Sequence, residues 1–109
     1  MTRANINISN ENINIYFYRS CDGYPENTAR DLQEKIENSK DINELIVKLL
    51  CDKKYSLSSY RGCRADFTYV INNYFQDTNE IELMYFEPHK KLQYHIFSYM
   101  FGKQKQINY

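Results

Sequence analysis

The sequence predicts an α+β domain: an antiparallel sheet of about five strands with two helices on one face, in the order β-β-α-α-β-β-β. Three observations predict it. Apolar residues alternate with polar ones at period two over 4–8 and 12–19. The middle of the chain changes to helical spacing, with apolar residues three and four apart. The C-terminal half returns to period two in three runs joined by hairpin-length connections, which favour antiparallel pairing. The 109 residues fit a single domain spanning 1–109, because domains typically run to about 100–200 residues.

Residues 4–8 read Ala-Asn-Ile-Asn-Ile, and 12–19 read Asn-Ile-Asn-Ile-Tyr-Phe-Tyr-Arg. Ile6, Ile8, Ile13, Ile15 and Phe17 fall on one face of a hairpin, while Asn14, Tyr16 and Tyr18 fall on the other. Ser9-Asn10-Glu11-Asn12 supplies the turn. Asp22-Gly23 marks a second tight turn, and Pro25 pushes Tyr24 out of helical geometry. A helix follows, capped by Asn27 or Thr28, with Asp31 in its first turn and Ala29, Leu32 and Ile36 as its apolar stripe. Asn38-Ser39-Lys40 ends it. Asp41 starts a second helix with Glu44 as a reciprocal capping partner, and Ile42, Leu45, Ile46, Leu49 and Leu50 form its apolar face. Residues 55–63 fit a short strand, a turn or a loop equally. Strands follow at 66–71, at 80–86 with Ile81, Leu83 and Tyr85 on one face, and at 92–97 with Leu92, Tyr94 and Ile96 opposite Gln93, His95 and Phe97. Asn72 and Asn73 extend the first of these or begin a loop; 77–79 and 88–91 are turns; the tail after Gly102 frays.

Composition narrows the function. Apolar residues are 42% and charged residues 26%, close to globular averages, which argues against disorder. No apolar run approaches the roughly 18 residues of a membrane span, and MTRANINISN lacks the apolar centre of a secretion signal. The expectation is a cytoplasmic chain with no membrane partner. Fourteen Lys and Arg balance fourteen Asp and Glu, so neither a globally basic nucleic-acid binder nor an acidic DNA mimic is indicated. Cys21, Cys51 and Cys63 are odd in number and form no Cys-x-x-Cys pair, as expected of reduced thiols. With His89 and His95 they make no zinc pattern, and no metal or cofactor is expected.

No catalytic set is legible. There is no phosphate-cradling glycine loop and no local Ser, His and carboxylate grouping, and Asp22 beside Cys21 opposes thiolate formation. Asp22 and Glu26 read as turn and cap chemistry. Binding is better supported. Eleven Tyr and six Phe exceed what so small a core needs, and Tyr is enriched in interfaces. Tyr16, Tyr18, Arg19, Asp22, Tyr24, Arg61 and Arg64 are the candidate partner-binding residues: Arg19, Asp22, Arg61 and Arg64 meet at one end of the sheet if the hairpin pairs with the strand after Arg64. These arginines read first as partners in a buried or semi-buried ion pair with Asp, with recognition of a partner's carboxylate or phosphate as the alternative. Lys90, Lys91, Lys103 and Lys105, with no acidic residue after Glu87, are the alternative nucleic-acid surface, with Tyr94 and Tyr99 for stacking.

Thr2-Arg3-Ala4-Asn5-Ile6, Ile15-Tyr16-Phe17-Tyr18-Arg19 and Asp22-Gly23-Tyr24-Pro25-Glu26 resemble a family of small phage and prophage proteins. Its members open with a Thr-Arg-Ala-Asn-Ile-like strand and carry Tyr-Arg-His-x-Asp-Gly-Tyr-Pro-Glu. A later His-Gly-Asp segment precedes a Tyr-containing strand, which Asp66–Asn72 resembles. Two positions depart: Ser20 stands for the histidine, and Gly62-Cys63-Arg64 for His-Gly-Asp. A histidine-and-aspartate activity would have lost both parts here, so no enzyme is expected. The resemblance implies a phage-encoded protein that binds and sterically blocks a host defence protein, for example a CRISPR effector component. The alternatives are a nucleic-acid-binding accessory protein and a protein that binds or cleaves a nucleotide signal, with Arg19, Arg61 and Arg64 on its phosphates. Self-pairing of the strand at 92–99 into a homodimer is compatible with all three.

Overall fold

Two ten-residue helices, α1 (Thr28–Glu37) and α2 (Ile42–Cys51), interrupt a series of strands. The strands are β1 (Ala4–Asn10), β2 (Asn14–Arg19), β3 (Ser56–Leu57), β4 (Phe67–Asn73), β5 (Glu80–Glu87) and β6 (Leu92–Met100). The structure is a computed structural model, and it describes residues 2–58, 65–73, 80–87 and 92–101. The described strands form one sheet in the order β3-β2-β1-β4-β5-β6.

The α+β class stands, but the sheet is mixed and open, with six strands among the described residues where about five antiparallel ones were expected. The parallel pair is β1 with β4, from Ala4 opposite Phe67 to Asn10 opposite Asn73. β2 ends where β1 began, with Arg19 opposite Ala4. Between β2 and β4 the chain forms both helices and β3, which pairs antiparallel with β2 on its far side. β4 enters the sheet beside the start of β1 and runs in the same sense. The Arg3 carbonyl accepts the backbone N–H of Asp66 at 3.0 Å, and the Arg3 N–H donates to the Asp66 carboxylate at 2.9 Å. β4, β5 and β6 then form the expected antiparallel meander.

Residues opposite one another in register share a face. Ala4, Ile6, Ile8, Phe17, Tyr69, Ile71, Ile81 and Leu83 are buried on the face covered by the helices. Ala29, Leu32 and Ile36 of α1 and Ile42, Leu45, Ile46 and Leu49 of α2 join this core, as do Tyr55 and Phe101, with Ile13 and Ile15 partly buried beside it. Leu50, expected in the helix face, is half exposed, as is Val47. The segment at 55–63 resolves in part: Ser56 and Leu57 pair with Tyr18 and Phe17, and Tyr55 is buried. The expected turns at 77–79 and 88–91 and the frayed tail lie outside the described residues.

Two local expectations change. Thr28 does not cap α1: its hydroxyl donates to the Asp22 carbonyl at 2.6 Å, and Asn27 occupies the cap position without a side-chain hydrogen bond. Asp41 does cap α2, accepting from the Glu44 N–H at 2.9 Å, but the Glu44 carboxylate turns to Lys48 instead of closing a reciprocal box. In β6 the strict alternation fails, because a register shift places His95 opposite Met84 but Phe97 opposite Leu83. Period-two counting cannot see an inserted residue, which is what a bulge is.

Gly23 has no room for a side chain. A Cβ there meets the Arg3 carbonyl carbon and oxygen at 2.9 Å. Gly23→Ala forces backbone apart, and overpacking of this kind costs about 1–3 kcal/mol. The urea midpoint is expected to fall with an unchanged slope; an unchanged midpoint would show that β1 and the turn move apart freely.

Candidate functional site

The segment Asp22–Glu26 is held from three sides. The Gly23 N–H donates to the Thr2 carbonyl at 3.0 Å, and the Gly23 carbonyl accepts the buried Tyr69 hydroxyl at 2.6 Å. The Tyr24 carbonyl accepts from the N–H groups of Asn27 and Thr28, so the turn runs directly into α1. Asp22 adopts a left-handed backbone, φ 58°, which Asp tolerates better than most residues. Burial, together with the nearby Tyr85 hydroxyl and Glu26 carboxylate, pushes the Tyr69 phenol well above its ordinary pKa, so it stays a donor to Gly23. What this turn presents outward is Tyr24, which is 49% exposed.

Tyr24 leads an aromatic row across the helix-side face. Its ring centroid lies 5.7 Å from that of Phe67, Phe67 lies 6.0 Å from Tyr85, and Tyr85 stacks on Tyr94 at 4.8 Å. Phe67, Tyr85 and Tyr94 are each partly exposed. Such pairs between neighbouring strands add about 0.5–1.5 kcal/mol beyond their burial and hold the rings in place.

On the other side of the turn a buried polar clasp joins β2, both helices and the approach to β3. Arg19 is 6% exposed. Its Nη1 donates to the Tyr55 hydroxyl at 2.9 Å and lies 3.7 Å from Asp31, and its Nε donates to the Cys21 carbonyl at 3.0 Å. The Tyr55 hydroxyl donates onward to Asp31 at 2.7 Å. Lys35 bridges Asp31 at 3.1 Å and Asp52 at 2.8 Å. Arg19 also lies over the Tyr55 ring, 5.3 Å from its centroid. Burial and the Asp31 carboxylate raise the Tyr55 phenol far above its ordinary pKa, against the opposing pull of Arg19.

A shallow cavity of about 290 Å³ opens over this clasp, lined by Arg19, Asp22, Glu26, Asn27, Arg30, Asp31, Glu34 and Lys54. Four carboxylates against three cations give its walls no dominant sign, and Arg19 and Asp31 are already committed to each other and to Tyr55. Among the described residues no group of His, Cys, Asp and Glu is arranged to hold a metal ion.

The opposite sheet face has a different chemistry. Asn5, Asn7, Ser9, Tyr16, Tyr18, Thr68, Val70, Asn72, Glu82, Met84 and Phe86 share it by register. The described strand positions on this face include no Lys or Arg. Its polar groups bond to one another: Asn7 donates to Asn14 at 2.7 Å, and the Ser9 hydroxyl donates to Asn72 at 2.6 Å.

The sequence-derived partner surface therefore divides. Tyr16 and Tyr18 lie on the open face, while Arg19 lies on the helix side, because consecutive strand residues alternate. Arg19 and Asp22 do line one cavity, but the Arg19 guanidinium is spent internally, which is the buried ion-pair reading of this residue. Tyr24 is exposed beside them. Arg61 and Arg64 lie outside the described residues, as do Lys90, Lys91, Lys103 and Lys105. Sequence reasoning missed Tyr55, Lys35 and Asp52, and the row Phe67–Tyr85–Tyr94. Asp31 and Lys35, four apart on a predicted helix, were the available signal for the clasp. No helix among the described residues is long and apolar enough to cross a membrane. Comparison with family models, curated proteins and solved structures finds no match.

Two predictions follow from the clasp. Tyr55→Phe removes one hydroxyl from between Arg19 and Asp31, and unsatisfied buried partners cost about 1–3 kcal/mol. Chemical denaturation should show a loss of that size; a loss near zero would mean Arg19 and Asp31 close directly. The second concerns pH. Burial would raise the Asp52 carboxyl, but the Lys35 hydrogen bond, the Lys54 N–H and both ammonium charges outweigh it and hold the pKa below its ordinary 3.8. Burial likewise would lower Lys35, but Asp52 and Asp31 hold it above its ordinary 10.5. The stabilisation is thus complete between those two values. It is lost as pH falls below the first through the folded Asp52 value, or rises above the second through the folded Lys35 value. Lys35→Gln should flatten the acid limb of stability against pH; an identical limb in both proteins would place the acid-sensitive group elsewhere.

Proposed function

We propose that this chain is a phage-type inhibitor that binds a host defence protein, such as a CRISPR effector component, and blocks it by steric occlusion, with Tyr24 as the central anchor. The observation that carries this reading is a half-exposed tyrosine held on a backbone pinned to Thr2 just before β1, to α1 and to Tyr69. A ring fixed before binding loses little conformational freedom on association, and large aromatic side chains dominate binding energy in protein interfaces. Phe67, Tyr85 and Tyr94 extend the apolar contact beside it. Asp22 and Glu26 border it, and the mixed charge beside it, with Arg19, Arg30 and Lys54 against four carboxylates, gathers no positive patch for phosphate. The same five residues, Asp22 to Glu26, carry the resemblance to small phage proteins, which supports a defence component as the target. Steric occlusion asks for a fixed surface and no reacting group.

The test is affinity capture by the tagged protein from a host lysate with intact defence systems, with the captured component identified and its affinity measured. Capture of a stoichiometric defence protein is expected. Tyr24→Ala should weaken it by about 30-fold or more, the size of a hot-spot loss of about 2 kcal/mol. Leu50→Ser, on the exposed side of α2, should leave it unchanged. A partner held equally by the Tyr24→Ala protein moves the interface away from the turn. Retention of RNA or DNA in place of a defence protein replaces this reading with the nucleic-acid one.

A further inference from the structure

α2 carries more apolar surface than its packing uses. Ile42, Leu45, Ile46 and Leu49 are buried, whereas Val47 and Leu50, one turn apart, are 55% and 51% exposed. α1 packs against β6 and α2 against β3, so α2 is the outer helix on the β3 side. At 3.6 residues per turn, Leu45 and Leu50 fall on opposite flanks of the buried stripe. Leu45 is fully buried and Leu50 is half exposed, so only one flank is covered. Leu57 of β3 pairs with Phe17, shares its helix-side face and is 61% exposed. Three of the four exposed large apolar side chains among the described residues therefore sit on two elements that pack together; the fourth is Tyr24. Exposed apolar residues scattered singly are ordinary, but a group of them marks a contact surface.

We propose that this flank of α2 packs against the same flank of a second copy of the chain, antiparallel about a two-fold axis, to form a homodimer. Charge selects a second copy. Asp41 and Glu44 outweigh Lys40 at the N-terminal end of the helix, and Lys53 and Lys54 outweigh Asp52 just past its C-terminal end. A two-fold axis between Val47 and Leu50 sets the helices antiparallel, so the acidic end of each meets the basic end of the other. Glu44 and Lys53 lie equally far along the chain from that axis, which brings each Glu44 level with Lys53 of the other copy. Lys53 is exposed and has no ion-pair partner among the described residues. The antiparallel helix dipoles add to the same match. The whole chain has a formal net charge of zero, so no long-range repulsion holds two copies apart. None of these residues belongs to the Asp22–Glu26 turn, so the dimer and the Tyr24 contact can each fail without the other.

Sedimentation equilibrium of the whole chain tests this. Small interfaces are weak, so the mass is expected to rise from 13.2 kDa towards twice that value as the concentration passes about 100 µM. Val47→Lys with Leu50→Lys sets like charges on the axis, and the mass is expected to stay at 13.2 kDa with an unchanged circular dichroism spectrum, since both positions are half exposed. Lys53→Glu alone should weaken the dimer about fivefold, and adding Glu44→Lys should restore it. Cys51 is exposed beside Leu50 and one turn from Val47, so a short bis-maleimide should join two copies through it, and Cys51→Ser should abolish that crosslink. A mass of 13.2 kDa for the unaltered chain up to about 1 mM overturns the proposal. A dimer that survives both lysines, or that Cys51 fails to crosslink, is built on another surface and overturns it as well.

Discussion

A guanidinium buried at the end of β2 organises this molecule. Removing a charge from water is expensive unless it is paired and hydrogen-bonded in full. Arg19 meets that demand by drawing on three parts of the chain: the Cys21 carbonyl in the following turn, Tyr55 on the approach to β3, and Asp31 on α1. Lys35 then ties Asp31 to Asp52 at the end of α2. The apolar core would let the helices slide over the sheet, since hydrophobic burial has no direction. The clasp fixes where they stop. The position of α1 sets the course of the Asp22–Glu26 turn, and that turn sets the direction of Tyr24.

The fold was legible where one face of an element decides its structure. Ile6, Ile8 and Phe17 alternate because one sheet face is buried, and Leu32 and Ile36 recur at helical spacing because one helix face is. Asp41 was legible because a cap is a local interaction three residues long. The parallel pairing of β1 and β4 was not, because strand sense depends on where the chain re-enters the sheet after residues 20–66, and no local pattern records that. The shift in β6 was hidden for a different reason: one extra residue reverses the faces of everything beyond it while leaving composition and periodicity nearly intact.

The candidate site divides along the same line. Tyr24 was singled out from a turn motif, and the turn is where it is exposed. Tyr16, Tyr18 and Arg19 were grouped because they are adjacent in sequence, yet adjacency in a strand sends neighbours to opposite faces. Tyr55 could not be found in advance. It sits in a stretch with no clear period, and its partners Arg19 and Asp31 are 36 and 24 residues away. The aromatic row needed the register of three strands before its members could be seen as neighbours.

The parallel seam also sets the order of events during synthesis. β1 can zip onto β2 almost as soon as both are synthesised, since their turn is short. Its other side must wait for Phe67, 63 positions later. Until then Ile6 and Ile8 have half of their sheet missing. The nascent hairpin is therefore a two-stranded piece with an open hydrophobic flank, the kind of species that is marginal alone and prone to pair with a stranger. Contacts this distant in sequence slow folding. For this topology the first strand acquires its core only once the fourth has been made.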